Sequence, residues 1–95
     1  MKLRTLSVLA AAIFALPAHA QVAGFVLDTA GQPVAGARVT LQATNVRTTT
    51  AIDGSFFLAS VPPGFVEIVA AKKGYYNEGQ SVQAPAVGIG FRLET

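Results

Sequence analysis

Gly31-Gln32-Pro33-Val34-Ala35-Gly36-Ala37-Arg38-Val39 decides the architecture of this chain. Two glycines and a proline within six residues mark a tight reversal, and an alternating run starts straight after it. In that run Ala37, Val39, Leu41 and Ala43 alternate with Arg38, Thr40, Gln42 and Thr44, which predicts a strand with one apolar and one wet face. Upstream, Val22, Gly24, Val26 and Asp28 alternate with Ala23, Phe25 and Leu27, a strand that ends in a turn over Asp28 to Pro33. Asp28 is read as a turn cap rather than a calcium ligand, because no acidic cluster supplies the six or more oxygens calcium takes.

Downstream the period stays at two. Arg47 to Ile52 is a threonine-rich strand near an edge. Asp53-Gly54 signals a two-residue hairpin into a returning strand, Ser55 to Ala59, with Phe56 and Leu58 on one face. Val61-Pro62-Pro63-Gly64 breaks the pairing, because neither proline has an N–H for a ladder, and Pro63-Gly64 suits a type II turn. Phe65 to Ala71 is the next strand and Lys73-Gly74-Tyr75 turns it. Gln80 to Ala84 is a short strand before Pro85, and Val87, Ile89, Phe91 and Leu93 mark a final one. About seven short strands, with turn signals every ten residues or so and no helical period, predict an all-β sandwich. Phe56, Phe57 and Phe91 are assigned to its core.

The start of the chain reads differently. Lys2 and Arg4 precede an apolar run of 11 residues, Leu6 to Leu16, and Pro17-Ala18-His19-Ala20 closes it with a small-x-small pattern. That is the form of a secretory signal peptide over residues 1–20, cleaved between Ala20 and Gln21. A spanning helix needs ~20 apolar residues, so no anchor is expected to remain after cleavage. With no cysteine in the chain, a lipid anchor at the cleavage site is excluded as well. The predicted mature module, residues 21–95, is periplasmic or secreted, and it folds by packing without disulfides.

Processing also changes the charge. The chain has seven Lys and Arg against five Asp and Glu, and two of the basic residues lie in the leader. The module itself is neutral, which argues against nucleic acid as a partner. Its chemistry is sparse. The one histidine, His19, belongs to the leader, so the module lacks the usual general base, zinc ligand and thiolate nucleophile together. Ser55, Ser60 and Ser81 have no imidazole to activate them, and the five carboxylates are scattered. The expectation is a non-enzyme with no cofactor and no metal.

The turns and strands, taken in order, are similar to a known family. Gly24-x-Val26-x-Asp28, Gly31-x-Pro33-Val34-x-Gly36-Ala37-x-Val39, Thr50-x-x-Asp53-Gly54-x-Phe56-x-Leu58, Val61-Pro62-Pro63-Gly64 and Gly74-Tyr75 resemble the carboxypeptidase regulatory-like domain. The resemblance spans about residues 22–76. It implies a transthyretin-like, seven-stranded antiparallel Greek-key sandwich, used as an accessory or binding module. It also implies that Gly31, Pro33, Gly36, Asp53, Gly54, Pro62, Pro63, Gly64 and Gly74 serve as turn residues.

Two kinds of partner follow. One is a protein, bound at the cell envelope through an edge strand or an apolar sheet face. The other is a glycan stacked on aromatic residues. Phe25, Phe65, Tyr75 and Tyr76 are the aromatics available for a platform, with Phe65, Tyr75 and Tyr76 as the ligand contacts. In the alternative arrangement Tyr75 closes the core beneath Gly74, while Tyr76 and Phe65 lie half-buried at an edge.

Overall fold

The computed structural model describes residues 19–95, and the leader run Leu6 to Leu16 lies outside them. The alternating segments form seven strands: β1 (Ala20–Asp28), β2 (Arg38–Leu41), β3 (Arg47–Thr49), β4 (Ser55–Val61), β5 (Gly64–Ala71), β6 (Glu78–Ala84) and β7 (Ala86–Leu93). They build two sheets, ordered β4-β1-β7 and β3-β2-β5-β6. Only β2–β3 and β5–β6 are successive strands paired in one sheet, and every other connection crosses between sheets. This ordering is compatible with a Greek key.

One pairing departs from the all-antiparallel expectation. β1 and β7 run parallel, with Val22 opposite Ala86 and Asp28 opposite Leu93. The reason is where the chain re-enters the sheet. β6 ends at Ala84, beside Gly64. Pro85, Pro63 and the start of β1 line one cleft. β7 therefore begins next to the first residues of β1 and runs the same way.

The core is the inner face of both sheets. Val22, Val26, Val39, Leu58, Val61, Ile68, Phe91 and Leu93 are fully buried. Each such side chain contributes ~1.5–3 kcal/mol on leaving water, and no disulfide assists. The rings of Phe56 and Phe91 meet with centroids 6.0 Å apart, tilted by 54°. Phe57, assigned to the core from its composition, is instead 52% exposed. Alternation decides this: with Phe56 and Leu58 pointing inward, the residue between them points out.

The turns show what each loop residue does. Asp28 Oδ1 accepts the N–H groups of Ala30 and Gln32, both at 2.9 Å, and caps the reversal. Gly31, Gly36, Gly54, Gly64 and Gly74 all hold positive φ, between 74° and 107°. The Asp53-Gly54 turn is not a two-residue hairpin inside one sheet. It is a three-residue loop, Ile52 to Gly54, closed by the Ala51 N–H on the Ser55 carbonyl, and it carries the chain from one sheet to the other. Ser55 donates its hydroxyl (2.6 Å) and its N–H (3.0 Å) to Asp53 Oδ1, which holds that carboxyl below its ordinary range.

Two strands are shorter than their patterns suggest. β2 stops at Leu41, because Ala43 takes a φ of 64° and Thr44 donates its N–H and hydroxyl back to the Leu41 carbonyl. β3 stops at Thr49, because Thr50 leaves the outer edge of the sheet and turns inward.

Candidate functional site

Three surfaces stand out, and the strands set each one. On β1, Val22, Gly24 and Val26 face the core, which forces Ala23, Phe25 and Leu27 outward. Phe57 projects from the same outer face of β4, opposite Ala23, while Phe25 stands opposite Ser55. Phe25 and Phe57 are therefore diagonal neighbours on adjacent strands, ~7–8 Å apart by sheet geometry. Both are about half exposed, at 48% and 52%. Gly90, opposite Phe25 on β7, adds no side chain to screen them, and Arg92, two residues farther along β7 and opposite Leu27, sits at the rim. The result is an aromatic, largely uncharged face flanked by the open β7 edge.

The aromatics proposed as a single ligand platform are not brought together. Phe65 lies near the start of β5, 76% exposed, beside an apolar groove of about 430 Å³ that Leu41, Ala43 and Pro62 also line. Tyr75 and Tyr76 follow the other end of β5, at least six residues away, or ~20 Å along a strand. Tyr75 is half-buried and packs against the core, closing it beneath the turn in which its N–H bonds to the Lys72 carbonyl. Tyr76 is 73% exposed and gives its N–H to the Glu94 carbonyl. Neither Phe65 nor Tyr76 is half-buried at an edge.

The third surface is polar. Gly36, Arg38, Thr49, Lys72, Lys73 and Tyr75 help line an open groove of about 570 Å³ at the end of the four-stranded sheet. Arg38 is far in sequence from Lys72 and Lys73, and the β2–β5 pairing, Arg38 against Ala71, brings it beside them.

Thr50 is the polar anchor of the site scaffold. Its side chain is buried, and Oγ1 accepts the Ala37 N–H at 2.8 Å while donating to the Val34 carbonyl at 2.6 Å. Its own N–H and C=O bond to Ala37 and Gly36. One residue thus pins the β1–β2 loop to the β3–β4 crossing. In the sequence the only sign of this is a threonine ending a run of three. No group of three or more His, Cys, Asp or Glu side chains is placed to hold a metal among the described residues.

Known folds agree with the geometry. In solved structures the chain resembles a type II cohesin–X-dockerin complex from Acetivibrio cellulolyticus with an altered N-terminal interface. The TM-score is 0.68 at 17% identity, covering 78% of this chain and 56% of that one. A C-terminal interface mutant of the same complex gives 0.56 at 19% identity, over 80% and 52%. The Bacillus anthracis TIE protein gives 0.58 at 16%, over 81% of this chain and 16% of the other. The chain thus spans at most about half of the solved chains it matches. The family model for the carboxypeptidase regulatory-like domain matches residues 21–92, nearly the whole sandwich, and the chain belongs to that family.

Proposed function

We propose that this chain is an exported, non-catalytic interaction module that binds a protein partner at the cell envelope through the outer face of its three-stranded sheet. The observation that carries this reading is the Phe25–Phe57 pair, two large aromatics half exposed on adjacent strands of a face with no charge at its centre. Aromatics are enriched and charges depleted at the centre of protein interfaces. The absence of cysteine, and of any histidine beyond His19, supports a binding role over a catalytic one. The cohesin–X-dockerin structures that share the fold are themselves protein–protein complexes.

Photocrosslinking tests the face directly. Benzoylphenylalanine placed at Phe25 or Phe57 in the producing cells should give an adduct of one defined mass. The same probe at Gln83, on the outer face of the other sheet, should give none. Adducts at Gln83 equal to those at Phe25, or none at either aromatic, would sink the assignment. A second copy as the occupant would show as an adduct of twice the monomer mass.

The export half of the reading rests on the leader pattern. Ala20 is buried and pairs with Val61 at the start of β1, so the scissile bond lies inside a strand of the folded form. Processing therefore precedes folding. Intact-mass analysis of the exported protein should give a chain starting at Gln21, free or cyclised to pyroglutamate. Recovery of a chain starting at Met1 would refute it.

A further inference from the structure

We propose that the groove at the end of the four-stranded sheet binds an acidic polysaccharide, a chain of uronate-type sugars. Over residues 21–95 positive and negative charges are equal in number, five each, yet the positive ones are gathered. Arg38, Lys72 and Lys73 line this one groove, and no carboxylate lines it. Arg47 extends the positive track, because Arg38 pairs with Thr49 and Thr40 pairs with Arg47, placing the two guanidinium side chains diagonally on one outer face. Four of the five cations thus follow one path. Glu67, the carboxylate of that outer face, lies two residues beyond Val69, toward the opposite end of β5, while Glu78, opposite Ala70 and next to Asn77, borders the groove without lining it.

The groove is organised and not merely basic. Lys72 Nζ donates to the Ala35 carbonyl at 2.8 Å. Gly36, at φ +74°, leaves the space this needs: a Cβ there would stand 2.8 Å from the same nitrogen. The ammonium is held in place with two of its three donors still free. Arg38 offers a planar fork suited to two carboxylate oxygens. Thr49, Tyr75 and Asn77 add a hydroxyl, a phenol and an amide for sugar hydroxyls. A volume of about 570 Å³ falls in the range of small-ligand sites.

A sugar fits better than an acidic peptide. Strand addition is the ordinary way to seat an extended peptide. Of the two edges beside the groove, β3 has only three residues to offer, and β6, although seven residues long, opens with Glu78, whose charge opposes an acidic strand laid along it.

Amide-resolved NMR titration of the protein tests this with trigalacturonate as the probe. Maltotriose and hexaglutamate serve as neutral and peptidic counterparts. Trigalacturonate should shift the amides of Gly36, Lys73, Gly74 and Asn77, and binding should vanish near ~1 M salt, where screening acts within ~3 Å. The double variant R38Q/K73Q alters two side chains that make no hydrogen bond among the described residues, and it should weaken binding ~10-fold or more. The inference fails if trigalacturonate shifts none of these amides, if R38Q/K73Q binds equally well, or if either counterpart matches it. The groove lies on the opposite sheet from Phe25 and Phe57, so F25S/F57S should leave this binding intact whatever it does to the protein partner.

Discussion

Replacing Gly24 with alanine will cost the fold about 3 kcal/mol or more, although it adds a single methyl group to the central strand. Gly24 faces inward on β1 and sits opposite Ile89 in the parallel pairing with β7. An ideal Cβ at residue 24 would stand 1.9 Å from the Ile89 carbonyl oxygen and 2.7 Å from its carbonyl carbon. Those are backbone atoms, so no rotamer change relieves the overlap; β7 has to move. Moving β7 drags Phe91 and Leu93, both fully buried, out of register with the core. Gly90→Ala is the matched control. Gly90 is also a strand glycine, opposite Phe25, but a Cβ there meets nothing within 4 Å. Its replacement should be neutral, or stabilising by ~0.5–1 kcal/mol through lower chain entropy in the unfolded state. Urea denaturation of both variants decides the point. Equal midpoints would show that β7 does not approach β1 this closely.

That pair of glycines also shows what sequence carries and what it does not. Period-two alternation located all seven strands to within a few residues, because inward and outward positions differ in polarity along each strand. The turns were equally clear, since positive φ and missing donors restrict them to glycine and proline. Sheet membership was not. Asp53-Gly54 has the local signature of a hairpin whether its flanking strands pair or separate, and here they separate. The parallel β1–β7 pairing depends on which end of the sheet β7 enters, and no residue of β7 records that. The sites suffered for the same reason. Composition counted Phe57 as core filling, although alternation with Phe56 and Leu58 already pointed it outward. Phe65, Tyr75 and Tyr76 looked like one platform only while the length of β5 between them was ignored. Arg38, Lys72 and Lys73 became neighbours through a long-range strand pairing, so the neutral total hid a polarised surface.

Thr50→Val should destabilise by about 2–4 kcal/mol while changing the side-chain volume very little. The hydroxyl is buried and serves two backbone groups at once, the Ala37 N–H and the Val34 carbonyl. Valine keeps the shape but strands both partners away from water. A stranded buried donor or acceptor costs ~1–3 kcal/mol, and the loop has no room to reach solvent without pulling Val34 and Ala37 from the core. Thr50→Ser is the informative partner. It keeps the hydroxyl and loses only a methyl, so it should fall by ~1 kcal/mol or less. A clamp that acts through its hydrogen bonds separates the two variants; a clamp that acts through packing would make serine the worse of the two. The effect should also reach the groove. Thr50 fixes the segment that holds Ala35 and Gly36, and Lys72 is held against that segment by its bond to the Ala35 carbonyl. In Thr50→Val the loop loosens, hydrogen exchange at Gly36 and Ala37 speeds up, and the Lys72 ammonium loses its fixed position. Thr50→Ser should leave exchange at both amides slow. Slow exchange there in the valine variant as well would mean that packing alone holds this loop.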